Sequence, residues 1–106
     1  MLENKFKTKL INELEEMFPG CMIFHLPSDE IQGIPDLLIL YNDKWAVLEG
    51  KKKWNSPHQP NQEYYVERMN RMSFAAFIYP ENKEEVLYEL RQAFEFRRST
   101  RLPRSK

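Results

Sequence analysis

One cysteine among 106 residues cannot form an internal disulfide, so nothing in the chain asks for an oxidising compartment. Cys21 reads as a packed thiol. No apolar run approaches the roughly 20 residues that a membrane helix needs, so no membrane partner is expected. The opening MLENKFKTKL lacks the uninterrupted apolar stretch of a secretory signal, and an intracellular, cytoplasmic setting is the expectation. Two histidines and one cysteine make a poor set of zinc ligands. His25, alone in a strand-like stretch, reads as a structural residue. Neither sign of charge is in excess: sixteen basic and sixteen acidic residues cancel, so total charge leaves no footprint of a nucleic-acid partner. There is no internal repeat and no low-complexity block.

What is present fits one folded domain. A composition 42% hydrophobic and 30% charged belongs to folded chains rather than disordered ones. We expect a single domain over residues 1–98 and a polar, basic, mobile tail over 99–106. Leu2 to Phe18 predicts a helix, with Phe6, Leu10, Leu14, Met17 and Phe18 at helical spacing and Pro19-Gly20 as its stop. Glu3 falls within the apolar arc of that helix; it can be an inward ligand or a first-turn residue favoured by the helix dipole, and the pattern leaves both open. Cys21 to Leu26 predicts a short strand, and Ser28 to Ile34 a polar loop in which Gly33 answers a backbone need. Trp54 to Pro60 is a loop by its Asn, Ser and prolines. Asn61 to Met72 predicts a second helix, capped by Asn61, with Tyr65, Met69 and Met72 facing inward and Gln62 and Val66 on a neighbouring face. Phe74 to Tyr79 predicts a buried strand, and a third helix follows from Asn82 with Val86, Leu87, Leu90, Ala93 and Phe94 inward.

The stretch that the others flank is GIPDLLILYNDKWAVLEGKKK, Gly33 to Lys53. Asp36 to Tyr41 and Lys44 to Gly50 predict two strands joined by a turn at Asn42-Asp43. An antiparallel hairpin returns the end of the second strand to the start of the first, so Asp36, Glu49 and Lys51 converge. Glu49 and Lys51, two apart, point to one face. The resulting order αβββαβα predicts an α/β domain with a mixed central sheet of about four strands flanked by helices.

Buried charge is costly unless it is paired or bound to a cation. Asp36 and Glu49, joined by the backbone carbonyl of Gly50, offer hard oxygen ligands suited to Mg²⁺ or Mn²⁺, whose remaining coordination a phosphodiester can complete. Lys51 can orient or deprotonate an attacking water, and its pKa direction is open because carboxylates and a dry site push oppositely. Spacing alone favours a sheet-edge charge pair of small energetic value over a catalytic set.

Gly33-Ile34-Pro35-Asp36 followed across a hairpin by Glu49-Gly50-Lys51 resembles the PD-(D/E)XK nuclease signature. Glu3 ahead of it, and Ser56-Pro57-His58-Gln59, Gln62 and Tyr65 after it, are similar to the small stand-alone VRR-NUC branch, the virus-type replication-repair nucleases. The resemblance runs from Glu3 to about Tyr79. It implies a restriction-endonuclease-like core and a metal-dependent DNA endonuclease, selective for Holliday junctions, flaps or other branched DNA, acting as a homodimer in a phage or cellular setting. It implies Asp36, Glu49 and the Gly50 carbonyl as ligands of Mg²⁺ or Mn²⁺, Glu3 as a further acidic ligand, and Lys51 as the catalytic lysine. The family glutamine falls on Gln59 or Gln62; Gln62 is favoured, being on the helix with Tyr65. Lys52, Lys53, Trp54, Ser56 and Gln59 are expected nucleic-acid contacts, basic residues tracking phosphates and the aromatic face stacking a base. A solvated lysine run and a packed tryptophan explain the same residues without a partner. A non-catalytic nucleic-acid-binding module on the same fold is the alternative function.

Overall fold

The computed structural model describes residues 4–96; Glu3 and the basic tail 99–106 lie outside them. The order of elements is α1 (Asn4–Met17), β1 (Met22–His25), β2 (Leu37–Tyr41), β3 (Lys44–Gly50), α2 (Gln62–Met72), β4 (Phe74–Ile78) and α3 (Lys83–Arg91). A 3₁₀ turn, Pro80–Asn82, precedes α3, and a π-helical turn, Gln92–Phe96, continues it. The strands form one sheet in the order β1-β2-β3-β4. β1 with β2 and β2 with β3 are antiparallel, whereas β3 and β4 are parallel because α2 carries the chain back between them. The mixed four-stranded α/β sheet expected from the element order is therefore present.

Period-two alternation sorts the sheet residues onto two faces. Leu37, Ile39, Ala46, Leu48, Phe74 and Ile78 meet Leu10 and Leu14 of α1, Phe18, and Val86, Leu87 and Leu90 of α3. Val47 and Ala75 meet Val66 of α2, with Leu38, Trp45, Met69 and Phe77 around them. Each fully buried aliphatic or aromatic side chain contributes about 1.5–3 kcal/mol, so the larger first face dominates stability. Phe18 anchors it, its ring 5.1 Å from that of Tyr41 and 5.0 Å from that of Phe94. Among the described residues no helix is long and apolar enough to cross a membrane.

The hairpin register pairs Leu37 with Leu48 and Tyr41 with Lys44. Asn42 turns it at φ 56, a left-handed conformation that asparagine tolerates better than most residues. Cys21 is half-buried against the first core face, and burial raises its thiol pKa, with Glu15 adding to the rise.

The structure corrects the inward face of α2. Gln62 and Val66 are buried there, while Met72 is exposed. At about 100° per residue, Met72 stands roughly a quarter-turn away from the line through Gln62, Val66 and Met69. Beyond the helix, Ser73 Oγ donates to the Trp45 carbonyl and ties this end to β3. Nor does Asn61 cap α2 through its side chain; it takes φ 72 at the N-cap position. Asn82 likewise makes no side-chain cap for α3; its Oδ1 accepts the Tyr79 N–H at 2.8 Å and its Nδ2 donates to the Phe77 carbonyl at 3.1 Å, closing the turn after β4.

Candidate functional site

The open end of the hairpin is where charge enters the protein. Leu37 opposite Leu48 sets Asp36 and Glu49 side by side one step further along. Glu49 shares the face of Val47, so it points towards α2 rather than towards α1 and α3. Lys51 follows on the same face, its backbone N–H held by the Ile78 carbonyl at 2.8 Å as the parallel pairing continues past Gly50. Glu49 and Lys51 are each 6% exposed and Gln62 8%, three polar side chains buried in one place.

Gln62, in the first turn of α2, connects the other two. Its Nε2 donates to Glu49 Oε2 at 3.0 Å, and its Oε1 accepts from Lys51 Nζ at 2.6 Å and from the Gln59 N–H at 2.8 Å. The reverse orientation of the amide would set an NH₂ against an ammonium and a carbonyl against a carboxylate, so the two charges fix its direction. Lys51 Nζ also donates to the Pro57 carbonyl at 3.0 Å and lies 5.9 Å from the centroid of the Phe77 ring. Glu49 Oε1 is buried and makes no hydrogen bond of ordinary geometry, the Asp36 backbone N–H being only weakly engaged with the carboxyl.

Burial pushes the Glu49 carboxyl up to about 7, and the neighbouring Asp36 charge adds to this while Lys51 and, to a lesser extent, the Asp36 backbone N–H oppose it. Burial likewise pulls the Lys51 ammonium below the usual lysine range, against the pull of Glu49 and Asp36. The direction that the sequence left open is thus set by desolvation.

Gly33 brings the loop before Asp36 against the start of α2. It is buried at φ +90, and a Cβ there would stand 2.6 Å from both the Asn61 Cβ and the Pro60 carbonyl oxygen. The glycine is needed for its conformation and for its lack of a side chain.

Of the residues expected at the site, Asp36, Glu49, Gly50, Lys51 and Gln62 come together at the ends of β2 and β3 and the start of α2. Glu3 lies outside the described residues, and among those described no three His, Cys, Asp or Glu side chains gather as a metal cluster. The Asp36–Glu49 pair with its orphaned oxygen nonetheless fits a hard divalent cation, which takes one or two carboxylates and completes its shell with water or phosphate. Lys52, Lys53 and Trp54 stand exposed at the rim, Trp54 at 67%. Ser56 folds the loop: its Oγ accepts the Lys53 N–H at 3.1 Å and its own N–H donates to the Lys53 carbonyl. Gln59 reaches the site through its backbone, its side chain remaining at the surface.

Three contributors were not legible as site residues: the Pro57 carbonyl, Phe77 and His58. Pro57 lies in a loop, where the direction of a carbonyl carries no sequence signal, and Phe77 is indistinguishable from core in an apolar strand. His58 had one signal, its place in Ser-Pro-His-Gln. No protein-family model, curated protein or solved structure matches the chain.

Proposed function

We propose that this chain is a divalent-metal-dependent DNA endonuclease of the PD-(D/E)XK kind, with the restriction-endonuclease-like core and VRR-NUC character that its sequence resembles. The observation that carries the reading is the buried chain Glu49–Gln62–Lys51 ending in an unpartnered carboxylate oxygen beside Asp36. An ordinary ion pair buried for stability would satisfy that oxygen, because an orphaned buried acceptor costs about 1–3 kcal/mol. Two adjacent carboxylates, one of them resisting ionisation, are what a cation relieves.

In this reading Asp36, Glu49 and the Gly50 carbonyl hold Mg²⁺ or Mn²⁺, with Glu3 as a further acidic ligand. A bound ion of this kind polarises the phosphoryl group and makes water more acidic. Lys51, with two hydrogen bonds committed to Gln62 and Pro57, aims its remaining position at the attacking water or at charge developing on the phosphate. Gln62 keeps Glu49 and Lys51 in register through one rigid amide. Lys52, Lys53 and Trp54 meet the nucleic-acid backbone and a base, with Ser56 and Gln59 shaping the loop that presents them. Branched DNA cut by a homodimer belongs to the same reading, since two sites related by a twofold axis suit paired strands.

The test is incubation with linear, single-stranded, flap and four-way-junction DNA in Mg²⁺, Mn²⁺ or EDTA. Metal-dependent cleavage that Asp36→Ala and Lys51→Ala abolish is expected. Binding without cleavage under every condition would replace the enzyme by a nucleic-acid-binding module, and sedimentation of the same samples tests the dimer.

A further inference from the structure

The segment between β3 and α2 enters the site through two backbone groups close together in sequence. The Pro57 carbonyl accepts from Lys51 Nζ at 3.0 Å, and the Gln59 N–H donates to Gln62 Oε1 at 2.8 Å. Between them stands His58, and its side chain is the one that leaves the loop. Its ring stacks on Phe77 of β4, with centroids 4.2 Å apart and planes 14° from parallel, and its Nδ1 lies 3.0 Å from Glu63 Oε2 on α2. Pro57, His58 and Gln59 are all exposed, and what sets His58 apart is the ring stack and the Glu63 contact of its side chain.

This geometry has a mechanical consequence. The chain from residue 51 to 61 contains neither strand nor helix, so its backbone has many conformations to lose before a carbonyl can sit on a buried amine. The His58 side chain, one-third exposed, stacks on β4 and meets a solvent-exposed carboxylate on α2, so the stack is the main restraint on the residue in the middle and, through it, on its two neighbours. Lys51 is flexible about four side-chain torsions and needs fixed acceptors to aim it.

We infer that His58 is a positioning residue: held by Phe77 and Glu63, it keeps the Pro57 carbonyl on Lys51 and the Gln59 N–H on Gln62. His58 thereby sets the direction of the Lys51 amine without touching the reacting atoms. The kinetic consequence rests on the nuclease reading; the structural consequence does not.

Two readouts test it on the full chain. In Mg²⁺-dependent cleavage, His58→Ala lowers kcat about tenfold with KM within about twofold, and His58→Phe, which keeps a stacking ring, restores kcat to within about threefold. In competitive acetylation with acetic anhydride followed by peptide mass spectrometry, Lys51 of the parent reacts about tenfold more slowly than Lys52 and Lys53; His58→Ala reduces that protection and His58→Phe returns it. If His58→Ala does not fold, Glu63→Ala removes the ring's partner on α2 without touching Lys51 and is expected to show part of the same losses. Unchanged Lys51 protection in His58→Ala, or equal behaviour of His58→Phe and His58→Ala, overturns the inference. If the parent cuts no DNA with either metal, the nuclease reading falls and the acetylation pattern still decides the role of His58.

Discussion

The β2–β3 hairpin carries acid–lysine neighbours at both its ends, and the two ends treat them differently. At the turn, Lys44 Nζ meets Asp43 at 3.1 Å, with the Asp43 side chain largely in water although the Lys44 side chain is itself mostly covered. Such a pair is worth about 0–1 kcal/mol. At the open end, Glu49 and Lys51 are buried, share a glutamine rather than a direct ion pair, and both have their charged forms disfavoured by burial. The same residue types therefore make a pair with one partner in water at one end and a wholly buried cluster at the other. What differs is α2, which lies over the face of Glu49 and brings Gln62 and the Pro57 loop with it.

The largest separation of the two ends is expected in catalysis. Lys51→Ala or Asp36→Ala should lower metal-dependent cleavage by about 10³-fold or more, while Lys44→Ala should leave it within about twofold. Equal losses from Lys51→Ala and Lys44→Ala in single-turnover assays would erase the distinction.

The next effect is on folding. Gly33→Ala places a Cβ 2.6 Å from Pro60 O at φ +90 and should cost about 2–4 kcal/mol in urea unfolding. Gly20 has the same φ but open space around it, so Gly20→Ala should cost only about 1 kcal/mol. Similar costs for both would mean that the loop before Asp36 is not seated on α2.

A smaller effect follows from the Glu49 proton. Its carboxyl titrates at about 7 in the fold against an ordinary 4.5, so between those values the folded chain keeps a proton that the unfolded chain has shed. Stability without metal is then full below 4.5, falls as pH rises to about 7 and stays low above it. We expect a fall of about 1–2 kcal/mol, solvent near Asp36 screening part of the linkage. Glu49→Gln should flatten that profile, and millimolar Mg²⁺ at pH 8 should restore stability to the parent but not to the variant. A profile that Glu49→Gln leaves unchanged would assign the dependence to another group.

Much of this contrast was legible in the sequence. Apolar runs bounded by Pro35, Asn42-Asp43 and Gly50 identify two strands, and antiparallel pairing alone brings Asp36 to Glu49. The inward face of α2 was misread because hydrophobic periodicity counts apolar residues, and the residue that matters there is a glutamine. Gln62 becomes buried because it has Glu49 and Lys51 to bond, which no single-helix pattern can register. Met72 fits the apolar spacing yet reaches solvent, since helical phase continues past the part of the sheet that α2 covers. His58 stayed hidden for a related reason: a stack between a loop and a strand depends on tertiary geometry.

Gln62 has both lone pairs of its oxygen engaged by N–H donors and one amide hydrogen committed to Glu49. It is therefore a connector with a built-in sense, drawing electron density from the acid side and offering it to the amine side. Any ligand that withdraws charge from Glu49 weakens what that carboxylate lends to the amide, and the Gln62 oxygen then becomes a poorer acceptor for Lys51. The acid and the lysine are in series, so neither can be retuned without the other.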